Sequence, residues 1–306
     1  FFKDYTHKLW GIPSDKLSSD WAAERISLLD LWDVVLRLCG LGREAPRTYT
    51  KKFFYPKQGI GQIFEFIARE IKKYSGSIIL NARLKKLLLE GNRAKGVIYE
   101  LNGKDEVIHC DWVISTIPVT DLLYKPERGG EYHNVSTAVR SLRYRSLRFL
   151  NILIDQSDVG RNTWTYIPDG KYIMTRIQEP KKRSPYNAPY GKTSLMLEIP
   201  CSYNDEVWNM QDDLLFNRCI DDLFKLGINI KDRVIDYFYT AEKHAYPIYH
   251  LDYKHHLNNL LSRVDSIENI HTCGRNGLFR YIFMDRAMEM GFEAAMIIEG
   301  KWNKKV

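Results

Sequence analysis

The sequence predicts a mixed α/β (α+β) protein whose two parts interleave along the chain. Three stretches carry that expectation. Near the C-terminus the apolar segment Ile267–His271 reads as a buried strand that ends in a Gly274-Arg275 turn and leads into a helical run. Between Ser77 and Pro118 short apolar runs alternate with turn signals, as strands do. A second strand-rich stretch, from Arg143 to Ile199, occupies the middle of the chain.

Taken in order, Ser18 to Trp21 looks like a helix start, and apolar positions from Ile26 to Leu38 continue a helical pattern. Trp10, just before it, reads on its own as a buried anchor, because Trp is highly buried on average. Ile63, Phe64, Ile67 and Ile71 make Gln62–Tyr74 an amphipathic helix. Strands follow at Ser77–Asn81, Leu84–Leu89 and Lys95–Leu101, with turns at Glu90-Gly91-Asn92 and at the Asn102-Gly103 hairpin signal. Asp111–Pro118 is a buried strand ended by its proline. In the middle, Arg143–Asp155, Thr163–Ile167, Tyr172–Ile177 and Ser194–Ile199 read as strands, and Asp205–Leu226 as one or two helices. The polar, Pro-containing loop Lys181–Lys192 is placed as a lid. Arg140, Arg143, Arg145 and Arg148 imitate a nucleic-acid patch, but no RRM or KH signature accompanies them, and they read as a solvated strand edge. At the end, Asp285 stands where a helix N-cap belongs, with Met288, Gly291, Ala294, Ala295 and Ile298 on one helical face. The small residues allow close packing on a sheet. The free N–H groups of the first turn form an anion site equivalent to roughly half a positive charge. On these features alone, an ordinary strand–turn–helix unit is the plainer reading.

A chain of 306 residues can bury a sizeable core, and 44% hydrophobic with 27% charged residues is ordinary for a globular protein. The balance of 45 basic to 38 acidic residues gives +7, which is weak support for an acidic ligand. Part of the excess is a solvated tail, Lys301, Lys304 and Lys305. Five scattered cysteines without a C-x-x-C pair point to a reduced, cytoplasmic setting. No apolar run of about 20 residues is present to span a membrane. Adjacent His255 and His256 cannot share a helix face and no H-E-x-x-H occurs, so no metal site is expected. No G-x-G-x-x-G follows a strand. Gly59-Ile60-Gly61-Gln62-Ile63-Phe64 lacks the third glycine and a parallel βαβ context.

The string Gly274-Arg275, Gly277, Phe279-Arg280-Tyr281, Met284-Asp285 resembles the C-terminal FAD segment of the flavin amine oxidase superfamily. Within it the likeness is to protoporphyrinogen-oxidase-like proteins and UDP-galactopyranose mutases. The order Tyr55-Pro56 with Gly59 and Gly61, a helix, strands, and then Asp111 to Pro118 is similar too, as is Tyr5-Thr6 followed by Trp10-Gly11. The resemblance implies an FAD-binding Rossmann-like domain, here incomplete, interleaved with an antiparallel-sheet substrate domain. It assigns 51–118 and 240–306 to the cofactor side, and a helical segment 1–50 with 119–239 to the substrate side. It also implies flavin contacts at Gly274 and Arg275 (diphosphate), Met284 and Asp285 (ring), Leu84 (adenine, through the backbone) and the Thr116–Pro118 turn, hence Thr116 and Pro118. Trp10, Arg176 and Tyr281 are expected to face one substrate cleft, with Leu197 lining it.

By that resemblance the full-length protein is an FAD-dependent oxidoreductase that transfers a hydride from a small organic molecule to flavin. No catalytic side chain can be named. A UDP-galactopyranose-mutase-like sugar-nucleotide isomerase ranks second, since Thr175-Arg176-Ile177 with Glu179 resembles a mutase strand while Leu197 stands where the mutases carry an arginine. A third reading is an inactive or binding-only piece. It rests on the missing nucleotide unit, which marks the chain as a C-terminal fragment expected to purify without FAD.

Overall fold

The computed structural model of the protein describes residues 2–21, 54–123 and 132–302. The helix expected over Ile26–Leu38 and the basic tail at Lys304 and Lys305 lie outside them. In chain order the helices are α1 Phe2–Trp10, α2 Gly61–Lys73, α3 Val119–Leu122, α4 Tyr132–Ser141, α5 Glu206–Asn209, α6 Asp212–Lys225, α7 Tyr253–Asp265, α8 Gly274–Gly277 and α9 Met284–Trp302. The strands are β1 Ala82–Glu90, β2 Arg93–Leu101, β3 Lys104–His109, β4 Val113–Ser115, β5 Tyr144–Ile154, β6 Trp164–Tyr166, β7 Arg176–Gln178, β8 Thr193–Cys201, β9 Val234–Pro247 and β10 Ile270–Thr272. The described residues form two compact units, the first from 2–16, 54–78 and 144–245, the second from 17–21, 79–123, 132–143 and 246–302. The limit expected at 239 falls inside β9, a strand the sequence reading did not anticipate.

The first unit is built on a five-stranded sheet of order β6-β7-β8-β5-β9, whose β6–β7, β7–β8 and β8–β5 pairs are antiparallel. Alternate residues of β5 and β8 (Leu150, Ile152, Ile154; Leu195, Leu197, Ile199) point to one face and are buried against Leu215, Cys219, Ile220 and Leu223. Those four recur at helical spacing on α6 and make its apolar stripe. The arginines of β5 are not a solvated edge. Arg148 is buried, donates to the carbonyls of Val207 and Met210, pairs with Asp212 and stacks on Tyr239. Arg145 is buried as well, and its Nε and Nη2 donate to Leu9 and Lys8 carbonyls at the end of α1. Helix C-termini leave carbonyls unpaired, and a β-strand arginine satisfies them here. Lys8 extends from α1 to donate Nζ protons to the carbonyls of Ile167, Asp169 and Met174, and burial pulls its pKa down to about 8.

The expected lid is a latched loop. It folds into two short 3-10 turns, with Lys181 donating to Ser157 and Lys192 carbonyls and Asn187 to that of Pro180. Buried Glu179 at its base accepts the N–H groups of Val159 and Gly160 and the Thr193 hydroxyl. α2 forms as expected but buries none of its residues, and Phe64, Phe66, Ile67 and Ile71 are exposed.

The second unit holds two small sheets. The meander β1-β2-β3 is antiparallel, and its β2–β3 turn puts Asn102 at φ 52° and Gly103 at φ 77°, the two left-handed residues of a type I′ hairpin. β10 pairs with β4 in parallel, Ile270 opposite Val113 and Thr272 opposite Ser115. The C-terminal strand therefore begins later than Ile267. Fully buried Asn269 joins the two sheets. Its Oδ1 accepts the Ala94 N–H, and its Nδ2 donates to the carbonyls of Ala94 and Asp111.

Two other expectations differ from the structure. Ser77–Asn81 belongs to no sheet among the described residues, Asn81 is left-handed at φ 56°, and Ile78, Ile79 and Leu80 are exposed. A run of apolar residues becomes a strand only when a partner takes its backbone hydrogen bonds. On α9 the buried face is Met290 and Ala294, with Ala287 partly covered, whereas Met288, Gly291 and Ala295 of the expected face are exposed.

Candidate functional site

The carboxyl ends of β4 and β10 lie side by side, and the turns that leave them carry most of the expected cofactor contacts. Cys273 N–H donates to the Ser115 carbonyl at 3.0 Å and continues the pairing past β10. Gly274 follows at φ 79°, a left-handed conformation that costs a side chain about 1–2 kcal/mol. A Cβ there would lie 3.9 Å from that of exposed Thr116, so the two turns meet. At Gly277 a Cβ would fall 2.7 Å from Thr272 Oγ1 and 3.1 Å from the Ser115 carbonyl, so only glycine lets α8 close on the strand ends. Pro118 ends the other turn and starts α3, accepting the N–H groups of Asp121 and Leu122. α3 packs against β1, where Leu84 sits beside a bulge that falls between Leu84 and Lys86. A bulge leaves main-chain groups out of the ladder. Leu84 itself is not part of the two-turn junction.

α8 is stopped by a Schellman motif. Arg280 N–H donates to the Arg275 carbonyl and Phe279 N–H to that of Asn276. The left-handed position belongs to Phe279, at φ 49°, where glycine is usual. Its ring is buried beside Tyr249 and Tyr253, themselves stacked with centroids 4.5 Å apart, and burial holds the strained backbone in place. The Tyr249 hydroxyl accepts the Tyr281 N–H at 2.7 Å. Arg275 does not point away from this turn. Its guanidinium carbon lies 4.9 Å from the Tyr281 ring centroid and 5.5 Å from that of Tyr246, and Nε and Nη2 both donate to the Ile282 carbonyl. Tyr246, Tyr249 and the left-handed Phe279 escaped the sequence reading, because aromatic residues give no turn signal.

α9 then begins at Met284, so Asp285 lies inside the first turn and is not the N-cap. Phe283, Met284 and Asp285 are all exposed, and the helix itself uses none of its first-turn N–H groups. Cys273 lines a hollow of about 360 Å³ with His271, Arg280, Arg286 and Glu293. Burial pushes its thiol pKa up, which makes it a poor nucleophile.

The expected substrate residues are divided between the units. Arg176 lies on β7 in the first unit, paired with buried Glu198 and 5.8 Å from the Tyr166 ring. Gln178 donates to the same Glu198 oxygen, and Arg183 lies over Trp164. The ladder sets Arg176 opposite Glu198 and Ile177 opposite Leu197, so Arg176 and Leu197 project to opposite faces of the sheet. Leu197 is fully buried in the core and does not line a cleft with Arg176. Trp10, 2% exposed at the end of α1, is a buried anchor. Tyr281 is half-buried in the second unit.

Comparison with known proteins gives a consistent picture. The family profile described as flavin containing amine oxidoreductase matches residues 7–298. Among solved structures, a reduced UDP-galactopyranose mutase superposes with a TM-score of 0.74 at 20% identity, covering 92% of this chain and 59% of its own. A structure assigned as a protoporphyrinogen oxidase from Exiguobacterium sp. 255-15 gives 0.56 at 17% identity, over 79% of this chain and 49% of its own. Putrescine oxidase with putrescine bound gives 0.50 at 15% identity, over 79% and 53%. The chain thus spans less than two thirds of each of these proteins, and likeness at such identities concerns the fold.

Proposed function

Because the chain belongs to the flavin containing amine oxidoreductase family, we propose that it is the cofactor-closing and substrate-side portion of an FAD-dependent oxidoreductase acting on a small organic molecule. The observation that carries this reading is the meeting of the Gly274 and Thr116 turns at the carboxyl ends of two parallel strands. In open α/β sheets ligands bind in the crevice outside such ends. The residues fit a flavin dinucleotide. Gly274 and Gly277 let backbone approach closely, and the exposed first turn of α9 suits the negative charge that reduction places on a flavin ring. Gly274, Thr116 and Pro118 would flank the group, Met284 and Asp285 would offer main-chain N–H groups, and Leu84 its backbone beside the bulge. Bound there, flavin would supply hydride acceptance, and the chain's residues would bind and orient the substrate. Arg176, balanced by Glu198, is a candidate contact for an anionic substrate group.

The parallel pair β4–β10 is too small to stand as a sheet, since parallel sheets are covered on both faces and normally larger. Among the described residues it is a pair alone, and further strands of a Rossmann-like sheet would lie beside it. A sugar-nucleotide mutase remains the second reading, since Thr175-Arg176-Ile177 with Glu179 resembles a mutase strand. The lack of an arginine at position 197 does not weigh against it, because that position faces the core. The test is the visible spectrum of the full-length protein that contains this chain. We expect stoichiometric flavin there and a colourless 306-residue chain. Absence of flavin from the full-length protein would sink the proposal. Substrate-dependent oxygen uptake, set against conversion of UDP-galactofuranose under reducing conditions, then separates the two reactions.

A further inference from the structure

We infer that Arg275 is a positioning residue that presets the path of the chain from Phe279 to Met284, rather than a charge offered to a cofactor phosphate. This rests on the flavin reading above only for its functional consequence, since the geometry is internal to the second unit. Three independent holds converge on six residues. The main chain reverses at Phe279 in a left-handed conformation, with the ring buried beside Tyr249 and Tyr253. The Tyr281 N–H is taken by the Tyr249 hydroxyl. The Ile282 carbonyl is taken by two N–H groups of Arg275, whose guanidinium is flanked by Tyr246 and Tyr281. A guanidinium suits this place because it is planar, stacks on rings and donates in a fixed fork, none of which an ammonium does. The outcome is a turn whose last residues, Phe283 and Met284, are exposed and open α9.

The two roles for Arg275 predict different responses to a conservative change. A phosphate contact depends on charge, and lysine keeps much of it. A clamp depends on shape, and lysine loses it as fully as glutamine does. The experiment compares Arg275→Lys, Arg275→Gln and Tyr249→Phe. In the 306-residue chain, hydrogen exchange at the Tyr281 amide should quicken by about tenfold or more in all three, as expected for loss of a hydrogen bond to a charged or buried group. In the full-length protein, flavin affinity should fall by a similar factor in Arg275→Lys and Arg275→Gln, and the absorption spectrum of whatever flavin remains should shift. Tyr249→Phe keeps the ring stack, so it reports on the turn even if an Arg275 variant fails to fold. Unchanged Tyr281 exchange in the Arg275 variants, or wild-type flavin affinity in Arg275→Lys beside a loss in Arg275→Gln, would overturn the inference. If the wild-type full-length protein holds no flavin, the functional reading falls, and the exchange result alone decides whether the clamp exists.

Discussion

The two units solve the same problem, holding a sheet together, by opposite means. In the first, fourteen buried residues form one continuous apolar core beneath five strands and α6. In the second, buried apolar residues lie mainly on the helices, as Val119, Ala138, Leu260 and Val264 do, while the meander buries Leu87 and Ala94 and is joined to the parallel pair by one asparagine with three hydrogen bonds. Apolar contact is non-directional and tolerates small shifts. An asparagine bridge between two backbones fixes register but contributes little once its partners move. Both units leave apolar side chains exposed, among them Phe64, Phe66 and Phe224 in the first and Leu80, Phe292 and Met296 in the second. Apolar burial therefore lies directly against the first unit's sheet, while in the second unit it lies mainly on the helices and the sheets are joined by a polar pin. Substitutions in each unit test that contrast.

The largest effect should come from Leu197→Arg. By the family resemblance, this substitution would restore the arginine that the mutases carry at that place. In the structure it places a guanidinium in the first unit's core, and we expect a loss of about 4 kcal/mol or more, read as a fall in the urea midpoint or as failure to fold. By contrast Phe292→Arg, at a 70% exposed position of the second unit, should alter stability by no more than about 0.5 kcal/mol. Equal losses at the two sites would mean that burial does not set the cost of the added charge.

Next in size is Asn269→Ala. It leaves the Ala94 N–H and the Ala94 and Asp111 carbonyls without their partner, which should cost about 2–4 kcal/mol. Its signature should be local. Amides of β2 and β10 should exchange faster while those of β5 and β8 keep their protection. Loss of protection in both units together would mean that they unfold as one.

What could be read from the sequence divides along the same line. The elements of the first unit follow from periodicity, because apolar residues two apart on β5 and β8 and three or four apart on α6 meet inside one unit. β9 was missed, since six successive positions beyond Val234 are mostly exposed and present no clean alternation. In the second unit the motif words located the Gly274 turn and Thr116. They could not show that Arg275 folds back on its own turn, that Phe279 adopts a left-handed conformation, or that Ser77–Asn81 lacks a strand partner. These facts depend on tertiary neighbours and not on local pattern. Leu197 is the plainest instance, because motif alignment assigned it a role that the two-residue period of β8 contradicts.

The smallest expected effect is a pH dependence in the second unit. His250 is half-buried, and its Nε2 donates to the Ser141 carbonyl at the end of α4. Burial lowers its pKa from the ordinary 6.5, aided by Arg143 and His256 and opposed by the Ser141 carbonyl and by Asp252. The unfolded chain therefore binds this proton more readily than the folded one. The His250 contribution to stability is complete above about pH 6.5 and is lost as pH falls through the lower folded value. His250→Gln keeps a donor near the Ser141 carbonyl and removes the titration. Between about pH 8 and pH 5 its unfolding midpoint should fall less than that of the wild type. The difference should appear in probes of α4 and α7, which pack together, and not in those of β5 and α6. A variant whose acid loss matches the wild type's would assign that loss to other groups and leave His250 a passive hydrogen-bond donor.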